Sequence, residues 1–178
     1  MILVTIGTNE QPFDRVVRAA AALDVDEQLI VQYGSSRAVA PREGWVEFLP
    51  FDELAALARE ARVVVCHAGV GSIMMARRCG HRPIVVPRRY SLQEAVDDHQ
   101  VGLSRQLARS GLVTLVEDVE TLADAIRSSG SSATAGGVAG LPGADALAAD
   151  LLSRIVPSAP KRLRRARVRS LRERTTRT

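Results

Sequence analysis

Val63-Val64-Val65-Cys66-His67-Ala68-Gly69-Val70-Gly71-Ser72 passes from an unbroken apolar run into a turn spaced by glycines. Strands of a parallel sheet are covered on both faces and read as continuous apolar runs, as Val63 to Val65 does. Gly69 and Gly71 open backbone angles and let a ligand approach bare amides. A helix beginning near Gly71 gathers its unpaired N–H groups and the Ser72 hydroxyl at one point. Aligned peptide dipoles favour an anion there, so the turn suits phosphate or diphosphate. A plain strand-to-helix connection would share the pattern. His67, at the carboxyl end of the strand where open α/β sheets hold ligands, favours the anion site.

Outward from this turn, short apolar runs alternate with helical stripes. Ile2 to Ile6 reads as the first strand, and Phe13 to Leu23 carries apolar residues at 13, 16, 17, 20 and 23, one helical face. Strands follow at Gln28 to Tyr33 and Val46 to Leu49, then a helix capped by Asp52 and running to Ala61. The helix after His67 runs to Cys79, with Gly80 as terminator. Ile84 to Val86 is another buried strand. A polar loop from Arg88 to Asp97 leads to a helix from Asp98 to Arg109, a strand at Leu112 to Val116 and a helix at Val119 to Ser128. The alternation predicts an α/β fold with a doubly wound parallel sheet, in a single domain over 1–156. Within it, 129–143 is rich in Ser, Gly and Ala and is expected to be a mobile loop, followed by a helix over Ala144 to Ile155.

A chain of 178 residues suffices for one such domain. Its formal charge of +4 is unevenly placed: residues 161–178 hold nine Lys or Arg against Glu173, a local +8, which leaves −4 for 1–160. The folded body therefore offers no charge argument for nucleic acid. The basic tail, 157–178, has too few apolar residues to fold alone and is expected to be disordered, meeting a membrane surface or an acidic partner. No apolar run nears the roughly 20 residues that span a bilayer, and Met1 to Gly7 lacks the features of a secretory signal. Cys66 and Cys79 lack zinc spacing and read as buried thiols of a cytoplasmic protein. Asp24-Val25-Asp26 has metal-motif spacing but falls at the wrong sheet edge, so no metal is expected. Ser72, Asp98 and His99 lack the nucleophile elbow of a hydrolase.

Two more clusters reach the edge that carries His67. Pro87-Arg88-Arg89 follows a buried strand, and Asp97-Asp98-His99-Gln100 opens the next helix. Convergent polar groups of this kind mark a binding crevice. With Gly80, Pro83 and Val86, these motifs resemble the nucleotide-sugar-binding, carboxyl-terminal half of family 28 glycosyltransferases. Val4-Thr5-Ile6-Gly7-Thr8 and Phe13-Asp14 are similar to short members that comprise that half alone. Among them are the catalytic subunit that adds the second GlcNAc to dolichol-linked GlcNAc and bacterial exopolysaccharide transferase subunits, which share the Pro-Arg-Arg and Asp-His-Gln pattern.

The resemblance implies a Rossmann-like half of a GT-B fold that binds a UDP-sugar. A membrane-associated partner protein supplies the acceptor domain, the lipid-linked acceptor and the general base. It implies inverting, metal-independent transfer with no cofactor, in surface polysaccharide synthesis, by a cytoplasmic protein peripheral at the inner face of the membrane. By position, His67, Gly69, Gly71 and Ser72 serve the diphosphate, and His99 and Gln100 the sugar. Gly7, Thr8, Leu49, Phe51 and Arg88 line the base site or cleft. Arg88 and Arg89 read either as phosphate ligands or as solvated cations. One departure stands out: Met75 occupies the place where many relatives carry a ribose-binding Glu, with Glu94 or a partner residue as the substitute. Met75 favours the alternative of a non-catalytic accessory protein that stabilises a partner transferase; an epimerase fragment is a third, weaker reading.

Overall fold

A computed structural model of the chain describes residues 1–129. The strands are β1 (Ile2–Thr5), β2 (Leu29–Gln32), β3 (Trp45–Val46), β4 (Val63–His67), β5 (Ile84–Val86) and β6 (Thr114–Leu115). The helices are α1 (Asp14–Ala21), α2 (Phe51–Glu60), α3 (Val70–Arg78), α4 (His99–Arg109) and α5 (Leu122–Ser128). All strands run parallel in the order β3-β2-β1-β4-β5-β6. From β1 the chain steps outward to β3, then crosses back and builds the other half from β4. The reversal lies between β1 and β4, where Ile2 to Thr5 pair with Val63 to Cys66.

Successive side chains of a strand point to opposite faces, and the core follows that period. Ile2, Val4, Val63, Val65, Ile84 and Val86 pack with Val16, Val17 and Ala20 of α1 and Leu122 and Ile126 of α5. Leu3 and Val64 meet Leu54, Ala55 and Ala58 of α2 and Met75 and Ala76 of α3 on the opposite face. Cys66 and Val85 continue that face against Ile73, with Leu107 and Ala108 of α4 at its margin. Both faces are thus covered, which is why β5 is wholly apolar and β1 and β4 are apolar up to the Thr5 and His67 that end them. Burial pushes the Cys66 thiol up to about 12, an unreactive state.

Several boundaries differ from expectation. Helix α2 has Pro50 rather than Asp52 as its N-cap: Leu54 N–H donates to the Pro50 carbonyl at 2.9 Å. Asp52 and Glu53 instead occupy its first turn, where negative charge is favourable. Helix α3 starts earlier, with Gly69 as its N-cap. It ends at Gly80 (φ +89°), where Gly80 N–H reaches Arg77 O and His81 N–H reaches Ala76 O, both at 3.0 Å. The loop after β5 contains a 3-10 turn, Tyr90–Leu92. The last predicted helix divides into a 3-10 turn, Val119–Thr121, and α5, because Asp118 accepts a hydrogen bond from Glu120 N–H at 3.1 Å. Apart from Ser129, which ends α5, the predicted loop 129–143, the helix 144–155 and the basic tail lie outside the described residues.

Candidate functional site

The reversal of strand order places the β1–α1 loop beside the β4–α3 turn, and open sheets form their ligand crevice at that point. His67 stands between the two segments. A Cβ on Gly7 would lie 2.4 Å from its Cε1, and one on Gly69 would lie 2.1 Å from its Nε2. Both glycines are therefore needed to admit the ring, and Gly7 also has φ +79°. Gly71 differs, since nothing lies within 4 Å of where its Cβ would be. Its lack of a side chain leaves open space in front of the helix.

The first helical bond of α3 is Ile73 N–H to Gly69 O at 3.0 Å. The N–H groups of Val70, Gly71 and Ser72 precede it and have no acceptor within the helix. They present the positive end of the helix at the crevice, and α3 carries no acidic residue in its first turn. Burial draws the His67 pKa down to about 4, the Arg88 cation adds to the effect, and the nearby Thr5 backbone opposes it. His67 is thus a neutral imidazole at pH 7, with its buried Nδ1 lacking a protein partner. It offers a hydrogen bond rather than a charge, and the attraction for an anion rests with α3.

The β1–α1 loop is held from several sides. Thr5 Oγ1 donates to Gln32 Oε1, and Gln32 Nε2 donates to Gly7 O at 3.2 Å. Phe13 N–H donates to Ser36 Oγ at 2.8 Å. Thr8 is exposed at the loop's start. On the far side, Gln100 Oε1 accepts from Arg88 N–H at 3.1 Å, which fixes the carboxamide at the end of β5. His99 is solvent-facing, with Nδ1 2.7 Å from Asp97 Oδ1. Asp98 accepts from Tyr90 N–H at 2.9 Å. Leu49 is half-buried against the α2–α3 core, whereas Phe51 is 64% exposed and Phe48 50% exposed. Phe48 was not among the sequence candidates, although an aromatic on each side of Leu49-Pro50 is its visible signal.

Arg88 requires a correction. It is neither solvated nor available to phosphate, because it is fully buried and its Nη atoms serve four backbone carbonyls. Arg89 is the partly exposed member of the pair, donating to Glu117 O at 2.9 Å. Glu94 also departs from its suggested role at the ribose. Its buried carboxylate accepts from Arg15 at 2.8 and 3.1 Å and from Arg89 N–H at 3.1 Å. Met75 lies in the core among Leu3, Leu54 and Val64. Asp24 and Asp26 fall between α1 and β2, at the opposite edge of the sheet.

A cavity of about 420 Å³ opens beside the crevice, lined by Arg89, Ser91, Asp98, Val101, Gly102, Arg105 and Glu117. Its cations are paired: Arg105 donates to Glu117 at 2.7 and 2.8 Å, and Arg89 lies 3.5 Å from it. None of the diphosphate candidates lines that cavity.

With this geometry in place, comparison with known proteins is direct. The family model "Glycosyltransferase family 28 C-terminal domain" matches residues 1–135. The chain is 34% identical over 128 residues to the UDP-N-acetylglucosamine--N-acetylmuramyl-(pentapeptide) pyrophosphoryl-undecaprenol N-acetylglucosamine transferase of Aromatoleum aromaticum, a match covering 65% of this chain and 35% of that one. It is 31% identical over 71 residues to the UDP-N-acetylglucosamine transferase subunit ALG13 of Yarrowia lipolytica, covering 40% of this chain and 34% of that one. Among solved structures, CalG4, the calicheamicin glycosyltransferase, aligns with a TM-score of 0.42 and 16% identity over 88% of this chain and 43% of that one. The chain spans about a third of the length of the curated relatives it matches. It belongs to the glycosyltransferase family 28 C-terminal domain family.

Proposed function

We propose that this chain is the UDP-sugar-binding half of a glycosyltransferase, which transfers the sugar to a lipid-linked acceptor held by an acceptor-binding partner. The observation that carries the reading is the amino end of α3, whose free amides meet the crevice at the strand-order reversal beside His67. The names of the relatives support it, since they specify UDP-N-acetylglucosamine as donor and, in one, an undecaprenol-linked acceptor.

In this reading the amides around Gly69, Gly71 and Ser72 receive the diphosphate, and neutral His67 adds a hydrogen bond. Charge that grows on the departing UDP meets donors already in position, where such interactions lower a barrier most. Gln100 and His99 bond the sugar, Leu49 and Phe51 border the base, and Gly7 and Thr8 line the cleft. Transfer is inverting and independent of metal, with the general base in the partner. The acceptor belongs to surface polysaccharide synthesis or another glycan assembled on lipid. The partner and the basic tail bring the cytoplasmic chain to the inner membrane face; among the described residues no helix is long and apolar enough to cross a membrane.

Calorimetry provides the test. UDP should bind at least tenfold tighter than UMP, a difference of about 1.4 kcal/mol. Gly71→Val should weaken UDP by a similar factor while leaving stability intact, because no protein atom lies within 4 Å of the new Cβ. Equal affinities for UDP and UMP would reject the orientation. The accessory-protein alternative is favoured by Met75, which brings no carboxylate to that position, and by the engagement of Glu94 with Arg15, which removes the substitute this chain offered. Sugar transfer that appears on adding the partner, and is lost in Gln100→Ala with UDP binding preserved, separates the readings in favour of catalysis.

A further inference from the structure

The geometry points to Arg88 as a positioning residue that joins the β1–α1 and β5–α4 loops into one wall of the crevice and thereby sets the preference for a sugar-bearing donor; the second half of this statement rests on the donor-binding reading above. Arg88 is the largest fully buried side chain among the described residues. Its Nη1 donates to Gln11 O at 2.7 Å, Pro12 O at 3.4 Å and Glu94 O at 3.0 Å, and its Nη2 donates to Ile6 O at 3.1 Å. Ile6, Gln11 and Pro12 lead from β1 towards α1, and Glu94 belongs to the loop between β5 and α4. The acceptors thus come from the two segments that flank the crevice and not from the interior of a helix.

The surroundings reinforce the same connection. Phe13 places its ring 4.5 Å from the Arg88 guanidinium and 5.0 Å from that of Arg15. Arg15, on α1, donates to both oxygens of Glu94 and to Pro87 O at 2.6 Å, a second tie between the same two segments. The main-chain N–H of Arg88 holds Gln100 Oε1. That bond leaves the Nε2 end of Gln100 to meet a ligand. One residue therefore fixes the carbonyls near Gly7 and the amide proposed to bond the sugar.

A guanidinium carries five N–H donors in a planar fork, whereas a lysine ammonium has three on a flexible stem. Lysine at 88 would keep the charge and the main-chain N–H that holds Gln100. It would satisfy fewer of the four carbonyls, so the loops behind that N–H would lose their ties. The loops would then require ordering when the donor binds, which weakens contacts to the sugar. Contacts to the diphosphate come from α3, which Arg88 does not hold.

The test uses the full chain and two probes, UDP and UDP-N-acetylglucosamine. In Arg88→Lys, UDP affinity should fall less than threefold, while the ratio of UDP-N-acetylglucosamine affinity to UDP affinity should fall at least fivefold. Amide hydrogen exchange should rise together in residues 6–13 and 89–97 and stay unchanged in 70–78. Arg15→Met, which removes only the second tie, should give the same pattern with smaller amplitude and covers the case in which Arg88→Lys fails to fold. Equal loss for both nucleotides, with the ratio preserved, would reduce Arg88 to a stabiliser of the fold and overturn the proposal. Faster exchange in one loop alone would overturn the coupling. If the unaltered chain bound neither nucleotide, the donor reading would fail together with the claim about preference, and the exchange measurement would still decide whether the loops are joined.

Discussion

At the amino ends of the strands, Glu27 accepts from Arg62 Nε at 3.1 and 3.3 Å and from the Met1 amino group at 2.8 Å. Arg62 chiefly, and then the amino group, hold its carboxyl down at about 2. At the carboxyl ends lie all three buried side-chain polar atoms that lack a partner among the described residues: Asp14 Oδ1, His67 Nδ1 and Arg88 Nε. A buried polar group without a partner costs about 1–3 kcal/mol, so one edge satisfies its charges and the other tolerates a deficit. The difference separates an edge whose charged groups satisfy one another from an edge that keeps buried polar atoms without protein partners.

The contrast is most exposed to failure at Gly7. Gly7→Ala requires a left-handed residue with a side chain and drives its Cβ to 2.4 Å from His67. Together these effects should cost about 2–4 kcal/mol in urea unfolding. A loss below 0.5 kcal/mol would mean that His67 is not wedged between the loops.

Acid comes next in size. The folded His67 resists protonation down to about 4, whereas a free imidazole accepts a proton near 6.5. Unfolding therefore takes up a proton in that interval. Stability is full above 6.5 and declines as the pH falls towards 4, by up to about 3 kcal/mol. Urea melts between pH 7 and 4 should show this slope, and His67→Gln should flatten it.

The amino edge should yield a smaller effect. Its pair is partly exposed, with relative exposures of 38% for Arg62 and 24% for Glu27, so Glu27→Gln should cost about 1 kcal/mol. The Glu27 contribution is present above 4.5 and is lost as the pH falls from there towards 2. UDP affinity should not change, and a change would blur the two edges. Least of all, His99→Ala should shift stability by no more than about 0.5 kcal/mol, because the side chain is 90% exposed. Thermal melts check that value, and a larger loss would show that His99 is part of the packing.

Legibility in the sequence followed the range of the interactions. Val63 to Val65 and Ile84 to Val86 announce buried parallel strands because apolar content is a local property, and Gly80 ends α3 through bonds that span only a few residues. Arg88 is the opposite case. Beside Arg89 it reads as surface charge, since arginine is rarely buried unless paired. Its burial depends on the Ile6 carbonyl, 82 residues distant in the chain. Gly69 and Gly71 were also alike as letters, yet one admits an imidazole and the other borders open space. Asp52 failed as a cap because Pro50 had already supplied the first helical carbonyl.

The outer strands β3 and β6 are only two residues long, against four in β1 and five in β4. A neighbouring chain seeking to extend the sheet would find almost no ladder on either side, a common protection against aggregation through strand addition. Among the described residues, the sheet thus offers its longest ladders only in its interior, where β1 and β4 are already paired on both sides.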